Sequence, residues 1–177
     1  MSLKKEKIII TIFVFLICFP FHFIYDKFPC FYFSIFFPVN ESVFEHIKMV
    51  NTALLVGALL EYFILRKYNL KYHNFGLSVF FSLIGNILFF ILIYFPIYLK
   101  FGENFVFNII CLIISVIISQ IISYYIMKFN KLNLNLIALT LIIILCTFFG
   151  LLTYYPLENP LFLDSENNKY GILMYLI

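Results

Sequence analysis

Charge is what this chain has least of. Only 12% of its 177 residues are Asp, Glu, Lys or Arg, about half the share a soluble domain carries. A net charge of +3, with basic residues strung beside apolar runs rather than gathered in a patch, excludes a nucleic-acid partner. There are six glycines and six prolines, and no stretch reads as a linker, repeat or low-complexity tract. We therefore expect one domain over residues 1–177. The four cysteines, Cys18, Cys30, Cys111 and Cys146, show no CxxC or other metal-ligand spacing, which leaves no disulfide framework to expect. Three of them lie in apolar runs, where a cysteine packs as a small hydrophobe.

Apolar residues fill the space that charge leaves. They make up 64% of the chain, with a mean hydropathy of +1.03, and they come in uncharged runs of roughly 20, the length that crosses a bilayer as a helix. The expected fold is all-α: a polytopic membrane bundle of five transmembrane helices at about 8–25, 43–65, 75–94, 105–127 and 132–155, with a tail over 156–177. The first run is retained as an anchor, because no small-residue cleavage site follows it. Pro20 should kink its last turns, Pro96 should mark the exit of the third span, and Pro156 should stop the fifth. The last residues, Gly171–Ile177, are apolar but too short to span, and are expected to fold back on the surface.

The basic residues orient these spans. With the amino terminus cytoplasmic, the inner segments hold Lys4, Lys5, Lys7, Arg66, Lys67, Lys71, Lys128 and Lys131, eight of the twelve, as the positive-inside rule requires. The expectation is amino terminus in, carboxyl terminus out, in a multi-pass cell-membrane protein. Asp26, Glu41, Glu45, Glu103, Glu158, Asp164 and Glu166 then all fall outside. Glu61 sits near the inner end of its span, within reach of water or Arg66, and His73 lies in a solvated inner loop. Ser115, Ser119, Gln120 and Ser123 read as helix–helix contacts.

The chemistry-bearing residues gather at the outer face. His22 and Asp26 close the first span, and Pro38-Val39-Asn40-Glu41-Ser42-Val43-Phe44-Glu45-His46-Ile47-Lys48 opens the second. Ser42 and Glu45 have capping-box spacing. The pairs His22/Asp26 and Glu41/Glu45 are each four apart, one helical turn. Such groups at a membrane boundary are costly unless they pair or bind an ion. Imidazole and carboxylate together are a ligand set for a divalent metal such as zinc. We assign His22, Asp26 and His46 to a metal and Glu41 and Glu45 to catalysis. Asn40 orients the helix entry, and Lys48 and Asp164 serve charge balance or substrate. The plain alternative is a helix-end network, with Glu45 completing the cap and Lys48 pairing Glu41 or Glu45.

The runs His22-Phe23-Ile24-Tyr25-Asp26 and Pro38 to Lys48, with Leu161-Phe162-Leu163-Asp164 and Tyr170-Gly171-Ile172 in the tail, carry a resemblance. The chain resembles a family of small integral membrane proteins of clostridia and related Firmicutes that carry a domain of unknown function. Their pattern is approximately HFLYD, then PVNESxWEHLK. Phe44 stands where tryptophan is usual, and Glu158 where a histidine is expected. The resemblance implies a membrane architecture and adds Asp164 to the outer face. It implies no activity.

Two functions fit these residues. One is a metal- or ion-dependent site, hydrolytic toward a lipid-linked or small amphipathic substrate. The other is non-catalytic, a transporter subunit or an assembly partner, which calls for a homo-oligomer or a companion membrane protein.

Overall fold

A single long helix, residues Val43–Lys67, is the post that the other spans lean on. The computed structural model describes residues 1–102 and 104–172. Among these it places α1 (Leu3–His22), α2 (Ile24–Lys27), α3 (Phe31–Phe36), α4 (Val43–Lys67), α5 (Phe75–Phe89), α6 (Phe95–Phe101), α7 (Phe105–Lys128) and α8 (Asn135–Tyr154). A π-helical turn, Phe90–Tyr94, joins α5 to α6. Five segments are long and apolar enough to cross a membrane: Leu3–Lys27, Val43–Lys67, Phe75–Phe101, Phe105–Lys128 and Asn135–Tyr154. Large apolar side chains such as Ile12, Leu136, Ile143 and Phe148 are exposed on the outside of the bundle. A water-soluble protein would hide so much apolar surface, whereas lipid solvates it. The chain is a multi-pass membrane protein. Expectations that fall on Glu103 and on residues 173–177 lie outside the described residues.

α4 is the most buried span, at 61% of its apolar window against 17% for α1. α1 packs on α4 and α7, and α5 packs on α4, α7 and α8. Small residues allow the closest approaches. A Cβ added at Gly57 would stand 2.4 Å from Val14 Cγ2, so α1 and α4 touch backbone to side chain at that level. Around it Ile10, Val14, Val50 and Ala53 are fully buried and form an apolar seam. One polar contact within the core joins α5 to α4: Asn86 Nδ2 donates to Asn51 Oδ1 at 2.9 Å.

Caps and turns set the helix ends. Ser42 Oγ accepts from Glu45 N at 3.3 Å and Asn104 Oδ1 from Phe107 N at 3.0 Å, each meeting an amide that the first turn leaves free. Asn74, left-handed at φ 50°, ties two connections together. Its Nδ2 donates to Asn130 O at 2.9 Å and its Oδ1 accepts from Leu132 N at 2.9 Å. That fastening holds Leu132–Leu134 out of the helix, so α8 starts at Asn135 and not at the expected 132. The third span outruns its expected end at 94 because Pro96 falls in the first turn of α6, where a missing N–H costs little. The π turn before it leaves room for the ring.

The tail returns to the start of α4. Phe44 N donates to Leu161 O at 2.9 Å, the Phe44 and Phe162 rings lie 4.5 Å apart, and Ile172 N donates to Thr153 O at 3.2 Å. Glu61 differs from expectation. It is buried and paired with Lys7, while Arg66 lies over Tyr62. The four cysteines are free, with Cys30 exposed and Cys18 and Cys111 buried. His73 is exposed.

Candidate functional site

The end of α1 and the approach to α4 meet at one end of the bundle. Pro20 sits in the last turn of α1, which ends at His22. Phe23, at φ −106° and ψ 1°, breaks the helix before α2 begins at Ile24. His22 and Asp26 therefore belong to different helices, and their four-residue spacing no longer puts them on one face. Asp26 is exposed, and only its charge bears on His22. The same correction applies to the other pair. Glu41 precedes α4 in a turn where Asn40 Oδ1 accepts from Ser42 N at 2.9 Å, whereas Glu45 is inside the first helical turn.

The outcome is a division of the expected cluster. One part is His22, Glu41 and His46. His22 Nε2 lies 3.3 Å from His46 Nε2 and 3.4 Å from Glu41 Oε2, and His46 Nε2 lies 3.5 Å from the same oxygen. All three side chains are about a quarter exposed, at 26–27%. His46 Nδ1 is 2.9 Å from Ser42 O. A carbonyl oxygen only accepts, so Nδ1 carries a proton, and in the neutral ring the Nε2 lone pair faces the cluster. His22 Nδ1 is buried with no partner among the described residues. The Glu41 carboxyl is held below its ordinary 4.5, first by the hydrogen bond from His22, with burial opposing and the His46 charge assisting.

These separations fit a metal. Four ligands at ~2.0–2.1 Å around zinc place neighbouring donor atoms ~3.3 Å apart on the edges of a tetrahedron. The three donor atoms already stand at about those edges, and His46 has the backbone partner on its other nitrogen that metal-bound histidines use. An ion held tetrahedrally by these three would keep a fourth position open. The cluster is the one group of three or more such side chains among the described residues whose ligand atoms converge.

The other part is Glu45 and Lys48, both 1% exposed. Lys48 Nζ pairs with Glu45 and donates to Ser34 O at 2.7 Å and Thr153 Oγ1 at 2.8 Å, so its three protons are all used. Glu45 also accepts from Thr153 Oγ1 at 2.9 Å and Val39 N at 3.2 Å. This network joins α3, α4 and α8 beneath the site. Glu45 has no free oxygen for a catalytic proton, and it makes only half of a capping box, since Ser42 N goes to Asn40. Asp164 is likewise committed elsewhere. Its oxygens accept from Glu166 N at 3.0 Å and Asn167 Nδ2 at 2.9 Å, which shapes the tail turn.

Behind the triad lies a cavity of about 270 Å³. His22, Glu41 and His46 form its polar side, while Cys18, Val50, Phe90 and Leu112 line the rest with apolar surface. The far wall carries a polar contact, Tyr94 Oη donating to Asn108 Oδ1 at 2.9 Å. Tyr94 closes the π turn, a feature found often at functional sites. Neither the cavity wall nor the π turn has a sequence signal that periodicity would detect.

No curated protein and no solved structure matches the chain. A family model, however, matches residues 1–172, nearly the whole length just described, helices, triad and tail together. The chain belongs to that family, the Family of unknown function (DUF6512).

Proposed function

We propose that His22, Glu41 and His46 bind one divalent metal, zinc by preference, and that the metal's open position serves an amphipathic molecule lodged in the cavity. The carrying observation is the set of donor separations, 3.3–3.5 Å, with His46 already fixed in the tautomer a metal needs. Two histidines, one carboxylate and an open position make up the donor set of zinc hydrolases, in which the metal lowers the pKa of its water to about 7. An ester, amide or phosphoryl group placed at the triad, with its apolar part in the cavity, meets that water. Asp26 and Glu166, whose charges act on His22, are carboxylates that would take the proton.

The positive-inside distribution of basic residues supports an outward-facing site, and with it a lipid-linked or small amphipathic substrate at the outer leaflet. The alternative, a non-catalytic transporter subunit or assembly partner, is less favoured. Beneath the cavity the Ile10–Val14–Gly57 seam leaves α1 and α4 no gap for a solute.

Metal analysis of the purified protein tests the reading. About one zinc per chain is expected, lost in His46→Ala and in Glu41→Gln. A native protein without stoichiometric metal, or variants that keep it, would remove the metal and the hydrolytic chemistry with it.

A further inference from the structure

At the end of the bundle away from the histidines, α1, α4 and α7 bury ionisable groups that the triad does not use. Glu6, Lys7 and Glu61 are 0%, 5% and 2% exposed. The Lys7 ammonium has three protons, and three acceptors take them. Glu61 does so as an ion pair, Ser123 Oγ at 2.6 Å and Gln120 Oε1 at 3.3 Å. None is left for Glu6. Both Glu6 oxygens are buried without a donor among the described residues, and the charged groups that act on them are the Glu61 carboxylate and the already committed Lys7 ammonium. Ser119, one turn from Ser123 on α7, has a buried hydroxyl that is also without a partner among the described residues.

Two carboxylates against one ammonium leave one negative charge in excess. Lys4 and Lys5 precede Glu6 in sequence but are exposed or turned outward. The groups that α7 brings to Lys7 here, Gln120 and Ser123, are neutral. An unpaired carboxylate buried against another is among the costliest arrangements at a membrane boundary, unless a positive charge joins it. The excess is a single charge, so the ligand is singly charged. We infer that Glu6 and Glu61 together bind one exchangeable monocation, a proton or an alkali-metal ion. A proton makes one carboxyl an acid that donates to the other carboxylate, and an alkali ion is bridged by their oxygens. The close contact of Gly57 with Val14 seals the seam between this site and the cavity. The site is therefore separate from the metal at the triad.

The test is a pair of melting titrations on the purified full chain, comparing wild type with Glu6→Gln and Glu61→Gln. Either substitution removes the charge excess, and the amide introduced by Glu6→Gln can still donate to Glu61. In one titration pH varies at fixed sodium. In the other, sodium or potassium replaces choline at fixed alkaline pH. Because the folded state binds the ion more tightly than the unfolded chain, the wild-type melting temperature should rise roughly 3–6 °C per tenfold increase in the bound cation once the site is filled, and both variants should stay flat relative to it. A slope on pH alone assigns a proton, and a slope on the alkali ion assigns that ion. Either result supports the site. A wild type as flat as the variants in both titrations overturns it, as does a Glu6→Gln protein that keeps the full wild-type slope.

Discussion

Replacing Lys48 with methionine asks whether the Glu45–Lys48 pair is scaffold or chemistry. Methionine keeps most of the length of the side chain, so what goes is the charge and not the packing. Lys48 is 1% exposed and gives its protons to Glu45, Ser34 O and Thr153 Oγ1. Without it Glu45 is a buried carboxylate held by one hydroxyl and one amide. Breaking a buried pair from one side costs about 3–5 kcal/mol, because the remaining charge has nowhere to go. For a chain of this length each kcal/mol moves the midpoint roughly 2–4 °C, so the expected fall is roughly 6–20 °C. The double variant Glu45→Gln/Lys48→Met removes the stranded charge and should recover most of that loss. A thiol-reactive dye reports the melt once exposed Cys30 and half-buried Cys146 are blocked, since Cys18 and Cys111 are buried in the folded chain. The double variant should also keep its zinc, because neither residue is in the triad. A Lys48→Met protein as stable as wild type, or a double variant no better than the single one, would refute the reasoning.

Two further outcomes follow from the site and its orientation. The Glu41 carboxyl sits below its ordinary 4.5, so its contacts stabilise the fold above that pH, and the contribution fades as pH drops through the depressed value. In metal-free protein, the melting difference between wild type and Glu41→Gln should shrink as pH falls from 4.5 through the depressed value. A difference unchanged well below that value would count against the carboxylate–histidine contacts. Exposed Cys30, at the histidine end, should react with a membrane-impermeant maleimide in intact cells. Labelling only after permeabilisation would reverse the proposed orientation.

The helices were legible because lipid imposes a crude rule, about 20 uncharged residues per crossing, and the apolar runs obey it. Their ends were less so. Pro96 reads as a stop signal, yet it begins α6, because a proline is harmful only where its missing N–H was needed. The candidate site was half legible. The histidines and Glu41 could be named from their place at the close of one span and the opening of the next. Helical spacing was then carried past the helix ends, where it no longer holds. Asp26 lies beyond the break at Phe23 and Glu41 lies before the start of α4, so the one-turn pairings dissolve. Glu6 carries no such signal, since a lone acid among lysines looks solvated until its neighbours on α4 and α7 are known.

The π turn at Phe90–Tyr94 holds one residue more than an α-helical turn would. Take that residue out, and the ladder reverts to ordinary spacing while everything after it swings by about 100°. Tyr94 would leave Asn108, and the aromatic side of the cavity would turn toward the lipid. The room behind the histidines thus depends on a local excess in chain length on a different helix. A deletion there could abolish ligand binding while leaving each donor atom of the triad where it stands.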